Sequence, residues 1–287
     1  MMKLALCNEV LQPLAFEQQC IVAAQLGYDA LEVAPFTLAP DPHALRQPDA
    51  NKLLRTAQSH GLCISSLHWL LLKPDGLSLV TGDAALRQRT IKLLRQLIDF
   101  AGYCGAAVLV HGSPKQRSPE PGQSVQDATF RLEEVLAELA PHALDAGVTY
   151  CIEPLSPFET PVINTVAEAA ALVDRIGSPA LRTMLDVSAA SQSETQPVHE
   201  VLAQYLTSGH ITHVQVNDKN RRGPGQGATP QGPVLQVLHD AQYSGWVAVE
   251  PFEYLPDGPG CAAFSAGYVR GLWAELSRAK QIGRAHV

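Results

Sequence analysis

The sequence predicts a closed (β/α)8 barrel, and three observations lead there. Eight short apolar runs recur along the chain, helix-like segments separate them, and several runs finish on a side chain able to bind a cation. Continuous apolar runs suit strands covered on both faces, and strands alternating with helices build a parallel sheet. A doubly wound open sheet is the structural competitor, and the lack of a GxGxxG after the first run argues against it. No Ser/Gly linker, charge block or low-complexity tract divides the chain, so residues 1–281 read as one barrel.

In chain order the predicted strands are LALC (4–7), ALEVA (30–34), LCISSLH (62–68), AAVLVH (106–111), VTYCIE (148–153), LRTMLD (181–186), ITHVQV (211–216) and WVAVE (246–250). Between the third and fourth, Leu86, Ile91, Leu94 and Ile98 recur at helical spacing ahead of Gly105. RLEEVLAELAPHALDAG reads as the next helix despite Pro141. Asn164 and Thr165 supply an N-cap type residue before VAEAAALVDRI, and Gly177 ends it. The segment around AGYVRGLWAELSRA completes the last helix, with Trp246 and Trp273 expected in packing. The closing IGRAHV (282–287) reads as a non-native tail, because a common sequencing adapter encodes it in one frame.

Composition bounds the function. With 46% hydrophobic residues, 17% charged and a formal net charge of −7, this is a globular chain without the basic face that binds nucleic acid. No run approaches a membrane span or a signal sequence, which makes cytoplasmic the default expectation and a membrane partner unexpected. Cys7, Cys20, Cys63, Cys104, Cys151 and Cys261 are scattered without a CxxC pair, and those within apolar runs, Cys7, Cys63 and Cys151, are expected to be buried free thiols. Oligomeric state is left open, a homo-oligomer being admissible.

Four runs carry an oxygen donor at their end, or in the seventh one residue before it: Glu153, Asp186, Gln215 and Glu250. In barrels of this kind the working residues sit at the C-terminal strand ends and in the following loops. Acidic groups there carry a heavy desolvation cost and repel one another, and a bound cation relieves both. The alternative is that each is a structural ion pair with an Arg or Lys. An all-oxygen set favours Mn²⁺ or Mg²⁺ over Zn²⁺.

The motifs CIEPLSP around Glu153, MLDVS around Asp186, HVQVNDKNRRGPGQG around Gln215 and VAVEPFEY around Glu250 resemble the xylose isomerase-like TIM barrels. That group includes sugar-phosphate isomerases, ketose 3-epimerases and the apurinic endonuclease IV proteins. The resemblance covers nearly the whole chain and implies that these four strand ends hold a divalent metal. It departs in two places: the family often has His where Gln215 stands, and another where Ala189 stands. By the same resemblance Glu153 and Glu250 are the acid/base pair of an epimerase or isomerase, each doubling as ligand. The substrate expected is a small polyhydroxylated carbonyl compound whose chelated carbonyl and hydroxyl acidify the C–H between them, giving an enediolate. Dehydration by a metal-dependent lyase is the second reading, an apurinic endonuclease or a non-catalytic sugar-binding barrel the remaining ones.

Further polar residues join the expected site. His68 and His111 end the third and fourth runs and are assigned to substrate contact, with Trp69 and Lys73 following His68. Lys115 and Arg117 are surface charges by default, though a loop at this face could turn them on a substrate phosphate or carboxylate. Arg221 stands where the epimerase-like members carry a substrate-binding Arg. His213, two residues before Gln215 and so on the same side of its strand, is expected to support the ligands. Glu32, at the end of the second run, either contacts a hydroxyl or caps the barrel mouth. The run from Gly223 to Gly227 reads as a flexible loop rather than a phosphate cradle.

Overall fold

A computed structural model describes residues 2–285, with side chains through Ala279. Its strands are β1 Lys3–Cys7, β2 Ala30–Val33, β3 Cys63–Leu67, β4 Val108–His111, β5 Thr149–Ile152, β6 Leu181–Asp186, β7 Ile211–Val216 and β8 Trp246–Val249. Each pairs in parallel with its sequence neighbour, and β8 pairs with β1, so the sheet closes as a barrel. The helices are α1 Phe16–Gln25, α2 Gln47–Ser59, α3 Ala84–Cys104, α4 Pro114–Arg117, α5 Val125–Asp145, α6 Val166–Ile176, α7 Val187–Ser193, α8 Val198–Thr207, α9 Gln231–Asp240 and α10 Gly258–Ala285. No described helix is long and apolar enough to cross a membrane. The predicted tail at 282–287 lies outside the described side chains, and residues 286–287 lie outside the description altogether.

Local chemistry sets the helix limits. Asp83 caps α3 by accepting from the Ala85 and Leu86 N–H groups, and Gly105 ends it in the left-handed region at φ 74°. Thr165 and Glu168 close a reciprocal capping box on α6, a device worth ~1 kcal/mol. Pro141 lies inside α5 without ending it.

Register decides what faces the axis. Paired residues point the same way and alternate along each strand. Cys7 aligns with Glu32, Glu32 with Ser66, Val110 with Cys151, Met184 with His213, Asp186 with Gln215, and Gln215 with Ala248. That set lines the barrel interior, where Val108, Val110, Cys151 and Met184 form a small cluster of their own. The opposite set, including Leu109, Tyr150, Leu185 and Val214, joins the main core between strands and helices. All six cysteines are free. Cys63 corrects an expectation: it starts β3 at the barrel's rim and is exposed, whereas Cys7 and Cys151 are buried.

Candidate active site

Two residues beyond the interior layer, the chain delivers its carboxylates. Glu153 follows Cys151, Asp186 follows Met184, and Glu250 follows Ala248; Glu153 and Glu250 are each the first residue after their strand. Each offers an oxygen, and the three oxygens lie within 4.8 Å of one another. All three are buried. Burial, then the charges of Glu250 and Asp186, push the Glu153 carboxyl well above the usual range, with Arg117 opposing. Burial pushes Asp186 up to about 7 against the Ala189 N–H and Asn217, and Glu250 up to about 8 against His68. Gly112 makes room for this packing, since a Cβ there would land on Glu153 Oε2.

Each carboxylate is oriented by neighbours. Asp186 Oδ1 accepts the Ala189 N–H at 2.6 Å, capping α7, and Oδ2 accepts Asn217 Nδ2 at 2.6 Å. Asn217 also donates to the Glu250 carbonyl at 3.1 Å and accepts from the Ser188 N–H at 2.7 Å. His68 bridges two acids, with Nδ1 3.1 Å from Glu250 Oε1 and Nε2 3.0 Å from Glu9 Oε2. Burial disfavours the imidazolium, yet Glu9, Glu250 and Glu32 hold it well above its ordinary pKa. Beneath lies Glu32, fully buried, 2.7 Å from His213 Nε2 and accepting from Ser66 Oγ. Burial works against its charge, but His213, His68 and Ser66 outweigh it and keep the carboxyl well below the usual range. Gln215 Nε2 donates to Glu32 Oε1 at 2.6 Å.

The predicted residues divide into those the fold gathers and those it does not. Glu153, Asp186, Gln215, Glu250, His68 and His213 all occupy interior strand ends. His111 does not. It has the parity of Leu109, so its ring lies in the strand–helix layer with Nδ1 2.6 Å from the Tyr150 hydroxyl. Burial, then Arg117, pull its pKa down to about 3, so it is neutral there. Lys115 is exposed on the short α4. Arg221 is exposed at the rim, in the left-handed region at φ 70°, with its guanidinium 4.4 Å above the Phe252 ring. Trp69 meets that same ring edge-on at 6.3 Å.

Arg117 overturns its default as a surface charge. It is 0% exposed, and its Nη groups donate to the His111 and Ile163 carbonyls at 3.4 Å each. A short KQR run gives no hint of this, because only the turn of α4 carries the side chain inward. Glu9, Asn217 and Glu159 also escaped the sequence reading. Glu9 sits on a 3-10 turn directly after β1, and Asn217 directly after β7, so the strand-end rule extended by one or two residues finds both. Glu159 lines the cleft from the β5–α6 loop, where no local pattern marks it.

The cleft above the carboxylates is narrow, with a volume of about 20 Å³, and is lined by His68, Trp69, Glu153, Glu159, Glu250 and Phe252 among others. Its donor set fits a hard divalent cation. Among the described residues none of the three carboxylates pairs with an Arg or Lys, and only Glu250 meets a His. Glu250 Oε2 and Gln215 Oε1 are buried without a hydrogen-bond partner, which is costly unless each meets something positive.

Comparison with known proteins agrees with this architecture. The model of the xylose isomerase-like TIM barrel family matches residues 20–267. A probable ketose 3-epimerase of Synechocystis sp. is 27% identical over 81% of this chain and 77% of its own length. Fructoselysine 3-epimerase of Shigella flexneri is 27% identical over 83% of this chain and 86% of its own. These named relatives are isomerase-class enzymes. Among solved structures, an L-ribulose 3-epimerase superposes with a TM-score of 0.82 at 18% identity, covering 98% of each chain, a likeness of fold. With a closed parallel barrel and a family match over most of its length, this chain belongs to the xylose isomerase-like TIM barrel family.

Proposed function

We propose that this protein is a divalent-cation-dependent sugar epimerase that inverts a ketose at the carbon beside its carbonyl. The observation that carries the reading is the pair of buried carboxylates, Glu153 and Glu250, which enter one centre from β5 and β8 and carry no Arg or Lys partner among the described residues. Glu153, Asp186, Gln215 and Glu250 would hold Mn²⁺ or Mg²⁺, which when bound polarises the substrate carbonyl and acidifies the neighbouring C–H. Strands three places apart around the barrel bring the two glutamates in from different sides. One removes the proton from one face of the substrate, leaving an enediolate, and the other returns a proton to the opposite face. His68 holds Glu250 by Oε1 and leaves Oε2 free for this work.

The cleft supports an uncharged sugar over its phosphate. Its lining includes glutamates, apolar side chains and His68 but no Lys or Arg, so a phosphate would meet like charge. Trp69 and Phe252 offer apolar faces to the sugar's C–H groups, and Arg221 reaches the rim beside them.

The test is solvent exchange. Chelator-treated protein given Mn²⁺ and a ketose panel in deuterium oxide is expected to release the epimer carrying deuterium at C3. Glu153→Gln and Glu250→Gln should each lower turnover by ~10²-fold or more, as a lost general base does. Label at C1 with aldose formation would make it an aldose–ketose isomerase, and loss of water a lyase; no exchange with any ketose would end the proposal.

A further inference from the structure

Gln215 is the ambiguous member of the ligand set, because a primary amide can turn either its oxygen or its NH₂ group toward the centre. Its immediate contact removes the ambiguity. Nε2 donates to Glu32 Oε1 at 2.6 Å, while Oε1 is buried and unpartnered, on a residue that pairs in register with Asp186. Glu32 is 0% exposed, accepts from Ser66 Oγ and from Cys7 Sγ at 3.4 Å, and has two imidazole nitrogens close by, His213 Nε2 at 2.7 Å and His68 Nδ1 at 3.6 Å. An ionised carboxylate is an acceptor only, so the flipped amide would press oxygen against oxygen in a buried place.

We infer that Glu32 is a positioning residue: by taking the Gln215 NH₂ group it forces the amide oxygen toward the barrel centre and makes a neutral, two-faced side chain into a hard oxygen ligand. The inference rests on the cation-dependent reading above and deepens it. It also accounts for a buried carboxylate that touches no substrate cleft, since Glu32 lies a layer below the cleft residues and bonds only to interior side chains. His213 and Ser66 act through it, holding its charge and pose.

The test is a cycle of four metal-free proteins, wild type, E32Q, Q215L and E32Q/Q215L, each titrated with Mn²⁺ while free Mn²⁺ is followed by its EPR signal. A glutamine at 32 donates as well as accepts, so it no longer selects one face of Gln215, and E32Q is expected to weaken binding about 10- to 100-fold. A leucine at 215 has no amide to orient, so in the Q215L background, whose affinity starts lower, the same E32Q change should stay within the about twofold scatter of uncoupled changes. Equal losses in both backgrounds overturn the inference, because a merely structural role moves both alike; so does an E32Q protein that binds as tightly as wild type. Wild type that binds no Mn²⁺ brings down the cation-dependent reading itself. Should E32Q not fold, wild type alone decides: the Gln215 side-chain amide protons, identified by their loss in Q215L, are expected to exchange slowly in the metal-free protein. Rapid exchange overturns the inference.

Discussion

Removing divalent ions and raising the pH should expose the charge problem at the barrel mouth. Asp186 and Glu250 hold their protons up to about pH 7 and 8 in the folded, metal-free chain, against ordinary values of 3.8 and 4.5. A folded-state pKa raised in this way gives stability that is complete below about pH 4 and is lost as pH climbs through 7 and 8. A cation can bind only as those protons leave. Between pH 6 and 8, release from Asp186 over one pH unit and from Glu250 over two would raise apparent Mn²⁺ affinity ~1000-fold, or ~10-fold if coupling lets only one proton leave. At saturating ion that is roughly 1.4 to 4 kcal/mol of added stabilisation, or about 3 to 15 °C in melting temperature. The assay is thermal unfolding at a series of pH values with Mn²⁺ and with chelator. His111 destabilises the fold in acid because it is buried neutral, but it lies outside the site, so the difference between the two curves cancels it. A Mn²⁺-induced increment that is flat or shrinks from pH 6 to 8 would refute the reasoning.

Other perturbations probe the same geometry. Gly112→Ala puts a methyl group on Glu153 Oε2 and should cost ~1–3 kcal/mol in denaturant melts while lowering Mn²⁺ affinity at least tenfold; unchanged affinity would show that Glu153 can move aside freely. Arg117→Met keeps the volume but removes the guanidinium that donates to the His111 and Ile163 carbonyls, and urea unfolding should show a loss of ~1–3 kcal/mol; unchanged stability would assign Arg117 to packing alone. Asn217→Ala frees Asp186 Oδ2 and should weaken Mn²⁺ binding ~10- to 100-fold by calorimetric titration, with an intact fold checked by circular dichroism.

Much of the fold was legible because its signals are local. An apolar run of strand length, a cap such as Asp83 or Thr165 and a left-handed Gly105 or Gly177 are each set by a few consecutive residues. The strand-end rule then picked out Glu153, Asp186, Gln215 and Glu250 together, since closing a parallel barrel gathers the ends of all its strands. Which residues at those ends face the axis was another matter. His68 and His111 look equivalent in sequence, yet one bridges Glu9 and Glu250 while the other pairs with Tyr150 outside the barrel. A strand buried on both faces shows no polar–apolar alternation from which parity could be read. Only the pairing register, with its irregularities at Leu31/Glu32 and Thr183/Met184, fixes it.

The sequence by itself therefore determined the order of strands and helices and the oxygen-donor character of the strand ends, because spacing and side-chain chemistry are written along the chain. Tertiary structure alone decided that Arg117 is buried, that His111 is excluded, and that Glu32 meets Gln215 from far away in the sequence. Those outcomes depend on what barrel closure brings opposite what, and no local pattern carries that information.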